Sequence, residues 1–134
     1  MTIFTIGYSN KKIEEFISKL KENNIELVVD VRSRPFSRWN PKFSRPSLEK
    51  ELKKHSIKYL FKGNNLGGLD ENIDFEANIN QVVQLSLSQR LVVMCTEGEP
   101  EKCHRYQTLA PAFENKGSIV SHIRWIKAEK LKLL

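Results

Sequence analysis

Hydrophobic positions along this chain gather into five short runs separated by longer mixed stretches. TIFTI (residues 2–6), ELVVDV (26–31), IKYLF (57–61), RLVVMC (90–95) and IVSHI (119–123) have the length and the β-branched content of strands. The second and fourth are continuous, valine-rich apolar runs, which suits strands covered on both faces of a parallel sheet. Between the runs the spacing becomes helical. Ile13, Phe16, Ile17 and Leu20 form one stripe of a helix that Ser9 or Asn10 can cap and that runs to about Glu22, ahead of Asn23 and Asn24. Ser47 can cap a second helix with Leu48 and Leu52 facing inward, and Glu49 and Glu51 in its first turn suit the helix dipole. A third helix is expected across about Phe75 to Ser88. A fourth is expected from Pro100 or Cys103 to Lys116, stopped at Gly117 and kinked or delayed by Pro111, with a final short helix from Trp125.

Strands alternating with helices in this way predict an α/β fold: a three-layer open, mostly parallel sheet of about five strands with helices on both faces and right-handed crossovers. The 134 residues make one domain, 1–134, with no repeat or linker. A chain of this length buries roughly two-thirds of its unfolded surface, so it needs neither a disulfide nor a metal to fold. No apolar stretch approaches the roughly 20 residues of a membrane span, and MTIFTIGYSN lacks the pattern of a secretion signal. The expected compartment is therefore the cytoplasm, where the two cysteines serve as thiols, redox partners or metal ligands more readily than as a structural disulfide.

Charge adds a second feature. The formal net charge of +6 favours acidic partners. RSRPFSRWNPKFSRPS (32–47) concentrates it, carrying Arg32, Arg34, Arg38, Lys42 and Arg45 without one acid. Planar guanidinium groups suit phosphate or carboxylate, and the interleaved Phe36, Trp39 and Phe43 can stack on a base. Three prolines restrict the segment and lower the cost of ordering it around a ligand. Asp30, next to Arg32, is a candidate base or a salt-bridge partner for it.

In an open parallel sheet ligands bind at the carboxyl ends of the strands. Gly7-Tyr8-Ser9-Asn10, Arg32-Ser33-Arg34, Cys95-Thr96-Glu97 and Arg124 all follow directly on the proposed strands. Cys95 stands where a thiol projects over the sheet edge and a following turn can aim N–H groups at a developing negative charge. Its bland alternative is a small buried hydrophobe, and the acids of TEGEPE would raise its pKa. Cys103 has the stronger local case, since a helix start, His104 and Arg105 all favour thiolate over thiol. Zinc on Cys95, Cys103, His104 and either His122 or His55 has the wrong spacing for a paired-ligand site, so no metal and no cofactor is expected. A reversible Cys95–Cys103 disulfide is a further possibility, depending on the distance between the two residues.

TIGYSN (5–10), VVDVRSRPFSRWNPKF (28–43), LGG (66–68), VMCTEGEPEKCHR (93–105) and VSHI (120–123) resemble the domain of unknown function family 488 over nearly the whole chain. The resemblance implies a compact α/β domain in which both cysteines, the arginine segment and the initial Gly-Tyr-Ser share one site. It implies no reaction. VVDVR followed by VVMC is also distantly similar to rhodanese-like domains, in which a strand-ending cysteine carries sulfur. Here an acidic TEGEPE follows Cys95 in place of a short cradle of glycine and arginine.

Two functions are expected to compete. The first is a thiol-dependent enzyme acting on a phosphorylated or nucleotide-like substrate, with Cys95 or Cys103 as nucleophile and His104 as acid or base. Arg32, Arg34, Arg38 and Arg105 would hold the anion, and Tyr8 and Ser9 would orient the substrate. The second is a non-catalytic nucleic-acid-binding module using residues 32–47. No membrane partner is expected, and the oligomeric state is not legible.

Overall fold

The computed structural model describes residues 1–69 and 71–125. Within them the five apolar runs form strands β1 (Thr2–Gly7), β2 (Leu27–Asp30), β3 (Lys58–Phe61), β4 (Leu91–Cys95) and β5 (Ile119–His122). They build one sheet in the order β3-β2-β4-β1-β5, and every pairing is parallel. The α/β class is as expected, and the sheet is wholly parallel. Every residue of β2 and β4 is buried, which explains why these two runs show no polar alternation. β3 and β5 are the edges and are partly exposed.

Two layers of helix cover the sheet. On one face α1 (Ile13–Glu22) and α2 (Arg45–Lys54) bring Phe16, Leu20, Leu48 and Leu52 against Ile6, Val28, Val92 and Met94. On the other, α3 (Gly63–Leu66), α4 (Phe75–Ser88) and α5 (Ala110–Asn115) bring Leu66, Ile79, Val82 and Phe113 against Ile3, Val29 and Val93. Each such side chain, fully removed from water, contributes about 1.5–3 kcal/mol of transfer free energy, so the two layers rather than helix propensity hold the elements.

Element boundaries moved where turn chemistry overrode the first polar residue. α1 starts at Ile13, with Lys12 at its cap and the Lys12 N–H donating to Glu15 Oε1 at 3.1 Å. Ser9 sits instead in a turn at φ 48°. α2 starts at Arg45 behind Ser44, earlier than a Ser47 cap would allow, because Pro46 is accepted in a first helical turn where its missing N–H costs nothing. The short α3 was not anticipated. The helix expected over 100–116 is broken into a 3-10 turn at Pro100–Lys102, an extended Cys103, a π-turn at Arg105–Leu109 and then α5. Pro111 has no N–H to return to the carbonyl four residues back, and ahead of it the Ala110 N–H bonds the Arg105 carbonyl, five back. The short helix expected from Trp125 falls, beyond that residue, outside the described residues. No described helix is long and apolar enough to cross a membrane.

The strand order matters for chemistry. After β1 and β2 the chain passes to the face of α1 and α2, whereas after β4, which lies between them, it passes to the face of α5. Loops therefore diverge around the carboxyl end of β4, which is where a parallel sheet opens a crevice.

Candidate functional site

Cys95 ends β4 opposite Gly7 of β1. The chain then turns so that the Glu97 carbonyl lies over Gly7, where a Cβ would come within 1.7 Å of that oxygen, and only glycine leaves room. Backbone bonds from Tyr8 N–H to Cys95 O (3.2 Å) and from Ser9 N–H to Thr96 O (2.7 Å) fix the turn. Glu97 O lies 3.9 Å from Cys95 Sγ, and the Glu99 N–H is taken by Glu97 Oε1 at 3.0 Å. The turn thus shows the sulfur a carbonyl oxygen at the place where an oxyanion cradle would show N–H groups.

Cys103 comes to the same point from the other side. Its Sγ lies 2.7 Å from Cys95 Sγ, and both thiols are free and buried. Beneath them Arg105 is completely buried. Its Nη1 donates to Cys95 Sγ (2.7 Å) and to Glu97 O (2.6 Å), and its Nε donates to Thr5 Oγ1 (3.3 Å). No carboxylate is among these partners, and among the described residues Nη2 is a buried donor without an acceptor. A guanidinium removed from water with no counter-charge costs several kcal/mol, so a negative charge on the dithiol is the compensation that the site itself can supply.

The dithiol is arranged to hold one. Cys103 is extended (φ −121°, ψ 149°), and its carbonyl accepts the Tyr106 and Gln107 N–H groups at 3.0 and 3.1 Å, as a helix-capping residue does. The hydrogen bond from Cys95 pushes the Cys103 thiol down from its ordinary 9.0 to about 4, with His104, the Arg105 N–H and the Arg105 charge assisting against the opposing effect of burial. Cys95 is pushed up, first by its bond to Cys103 and then by burial. The two shifts run in opposite directions, so the pair loses its first proton more readily and its second less readily than an isolated thiol, and Cys103 is the sulfur that its neighbours favour as thiolate.

His104 completes the group. Its Nε2 lies 2.9 Å from Leu66 O, and a carbonyl only accepts, so Nε2 carries a hydrogen and Nδ1, 3.5 Å from Cys103 Sγ, is the nitrogen that faces the thiolate. The ring rests on Gly68, where a Cβ would lie 2.8 Å from Nδ1. The Leu66-Gly67-Gly68 segment is therefore the seat of His104. On the far side Thr5 Oγ1, which accepts from Arg105 Nε, gives its hydrogen to His122 Nδ1 at 2.5 Å. Burial, then Arg105 and Arg124, push His122 down and keep it the neutral acceptor that this bond requires. A chain of contacts thus runs across the rim from His122 through Thr5, Arg105, Cys95 and Cys103 to His104.

The arginine segment divides. Asp30, wholly buried, accepts from the Arg32 N–H (3.1 Å), Arg32 Nε (2.9 Å), Arg32 Nη2 (2.7 Å) and the Tyr59 hydroxyl (2.6 Å). Arg32 Nη1 donates to Phe43 O at 2.6 Å and to the Tyr8 hydroxyl at 3.3 Å. Tyr8 is buried and stacks on Phe43 with ring centroids 4.1 Å apart. Asp30, Arg32, Tyr8 and Phe43 together anchor the segment to the sheet. Its tip is exposed: Trp39 is 91% accessible beneath the Arg38 guanidinium at 5.6 Å, and Phe36 is 71% accessible.

A cavity of about 430 Å³ opens over the dithiol, with Arg34, Lys102, His104 and Glu97 among its walls. Of the residues singled out from sequence, Cys95, Cys103, His104, Arg32 and Arg34 line it. Arg105 lies directly beneath, while Tyr8, Ser9 and Arg38 are not in its wall. Lys102 and Gln107 also face the cavity and were passed over; their one signal was adjacency to Cys103 and His104. The two sulfurs are closer than the roughly 3.7 Å that two thiolates about 2.3 Å from a tetrahedral zinc would keep, and among the described residues no group of three or more His, Cys, Asp or Glu side chains is placed to hold a metal ion.

The aspartate-valine-arginine strand end and its anchored arginine segment lie within the part of the chain that a family model matches. Residues 12–75 match the model of the family described as Domain of unknown function DUF488. The DUF488 match takes in α1, β2, the arginine segment, α2, β3, α3 and the first residue of α4, just under half of the chain. It is shorter than the resemblance read along the whole sequence, and β4 with Cys95, Cys103, His104 and Arg105 lies beyond it. No curated protein and no solved structure matches the chain. The DUF488 segment thus supplies one wall of the cavity, through Arg32, Ser33, Arg34 and Gly68, and the remainder of the chain supplies the thiols.

Proposed function

We propose that this chain is a thiol-dependent enzyme in which the Cys103 thiolate attacks a small anionic substrate, phosphorylated or nucleotide-like, held in the cavity over β4. The observation that carries the reading is the contact of two free thiols above a fully buried, carboxylate-free arginine. Such an arrangement stabilises a thiolate, and the thiolate is the reactive form of cysteine. His104, with Nδ1 3.5 Å from Cys103 Sγ, is the side chain placed to act as acid or base beside that thiol. Arg34 and Lys102 in the cavity wall would draw the anion in. Labelling with iodoacetamide near pH 6, mapped by peptide mass, should modify Cys103 rapidly and Cys95 slowly. A nucleoside monophosphate should protect it, and a Cys103→Ser chain should lose turnover in a screen of phosphorylated compounds. Resistance of both thiols until the fold is denatured would overturn the reading.

A second reading, nucleic-acid binding through residues 32–47, draws support from the exposed Trp39 and Phe36 with Arg38 beside them. It predicts affinity for single strands that falls steeply with salt, is lost in Trp39→Ala, and is indifferent to Cys103→Ser.

A further inference from the structure

The second thiol has no task in a mechanism that uses Cys103 alone. Cys95 packs in the apolar cluster on the α4 and α5 face of the sheet, yet its Sγ also meets polar and reactive groups that a cysteine serving only as a small hydrophobe does not need: Cys103 Sγ at 2.7 Å, Arg105 Nη1 at 2.7 Å and Glu97 O at 3.9 Å. Arg105 reaches Cys95 and not the sulfur of Cys103, which is the half of the pair that lies nearer His104. The two sulfurs need to approach by only about 0.7 Å to reach the length of a covalent S–S bond.

We propose that Cys95 is the resolving thiol of a dithiol–disulfide cycle in which the site reduces a small disulfide carrying negative charges. This rests on the reading of Cys103 as the activated thiol. In the first step the Cys103 thiolate attacks one sulfur of the substrate disulfide. The Cys103–substrate S–S bond forms, the substrate S–S bond breaks, and the first half departs as a thiolate. With Cys103 bonded, Cys95 no longer donates its hydrogen to a neighbouring thiolate, while the Arg105 guanidinium stays against its sulfur. Cys95 therefore gives up its proton, which protonates the departed thiolate, and Arg105 carries the charge over from one cysteine to the other. In the second step the Cys95 thiolate attacks Cys103 Sγ, and the second half leaves as a thiolate. The two cysteine sulfurs lose two electrons, and the substrate disulfide gains them as one thiol and one thiolate, the latter taking its proton from water. A thiol reductant restores the dithiol by the reverse exchange. Negative charge on the substrate is argued from Arg105 beneath the dithiol, whose Nη2 has no acceptor among the described residues, and from the described cavity wall, which holds Arg34, Lys102, paired with the exposed Glu99 at 3.3 Å, and one acid, Glu97. Arg105 acts as a positioning residue: it stabilises each thiolate in turn and has no such partner once the disulfide has formed, so the couple favours the dithiol.

The test uses the full chain, reduced and then exposed to oxidised glutathione, a disulfide bearing carboxylates. Non-reducing mass mapping should find the tryptic peptides 91–102 and 103–105 joined through Cys95 and Cys103, with no lasting glutathione adduct. Cys95→Ser should arrest the reaction as a one-to-one mixed disulfide on Cys103. Arg105→Met, if folded, should shift the glutathione equilibrium toward the disulfide by roughly tenfold or more, as loss of the guanidinium hydrogen bond to Cys95 and of the positive charge beside the Cys103 thiolate implies. Arg105→Lys, which keeps the charge, should shift it less. A wild-type chain that accumulates a stable adduct on Cys103 and never joins the two peptides would overturn the resolving role while leaving the activated thiol intact. Absence of any reaction at either cysteine would remove both.

Discussion

At the scale of single residues the site depends on which sulfur holds the proton, and that can be exchanged by substitution. In Cys95→Ala the Cys103 thiolate loses the hydrogen bond that contributes most to its stabilisation, and Arg105 loses its sulfur acceptor. The midpoint of thiolate absorbance in the ultraviolet should then move to higher pH. Alkylation of Cys103 near pH 6 should slow by about tenfold, the value of one charge-assisted bond. In Cys103→Ala the reverse holds for the remaining thiol. Cys95 is held up first by its bond to Cys103, so its removal leaves burial opposed by Arg105, and the Cys95 midpoint should fall below its place in the pair. Midpoints that coincide in the two variants and the parent would mean that the sulfurs do not share a proton.

Among the elements, α3 and the turn behind it decide how His104 presents itself. Gly68→Ala would place a methyl 2.8 Å from His104 Nδ1, so either the ring or the segment has to move. The expected cost is about 1–3 kcal/mol in urea unfolding, the usual price of overpacking a tight contact, together with slower labelling of Cys103 at neutral pH. A loss of stability without any change in labelling would separate the seat from the chemistry. This element also shows why the site was legible only in part. The pull of a helix start on Cys103 lies in consecutive residues and can be read along the chain. The Leu66-Gly67-Gly68 seat acts on a histidine 38 residues beyond Leu66, and nothing in either stretch names the other. Arg105 looked like a surface anion binder because it adjoins Cys103 and His104; only the register of β1 beside β4 shows that Thr5 and Cys95 receive it. Pro111 announced an interruption, but whether it would kink the helix or widen one turn depended on packing against the sheet.

For the molecule as a whole, the layered α/β design was readable because β2 and β4 are continuous apolar runs that only a sheet covered on both faces can bury, while the strand order depended on contacts between distant segments. One buried pair fastens the exposed arginine segment to that sheet. Asp30→Asn would leave the Arg32 guanidinium buried without its charge partner, and the expected loss is about 3–5 kcal/mol in urea unfolding. The dithiol gives stability a pH dependence whose sign follows from proton counts. In the unfolded chain both thiols keep their protons until near pH 9.0; in the folded chain Cys103 is charged above about 4 and Cys95 is still protonated past 9.0. The contribution of Cys103, its pKa depressed by folding, is complete above its unfolded value and is lost as pH falls toward 4. That of Cys95, its pKa raised, is complete below its unfolded value and is lost as pH rises beyond it. Between pH 4 and 9.0 the unfolded chain binds one proton more and stability rises with pH; above 9.0 it binds one fewer and stability falls. Subtracting the unfolding free energy of a Cys95→Ser, Cys103→Ser double variant removes every other titrating group, and the difference should climb from pH 5 to a maximum near 9.0 and then decline. A flat difference would mean that the thiols titrate alike in both states, and Arg105 would then be buried without the counter-charge that its surroundings require.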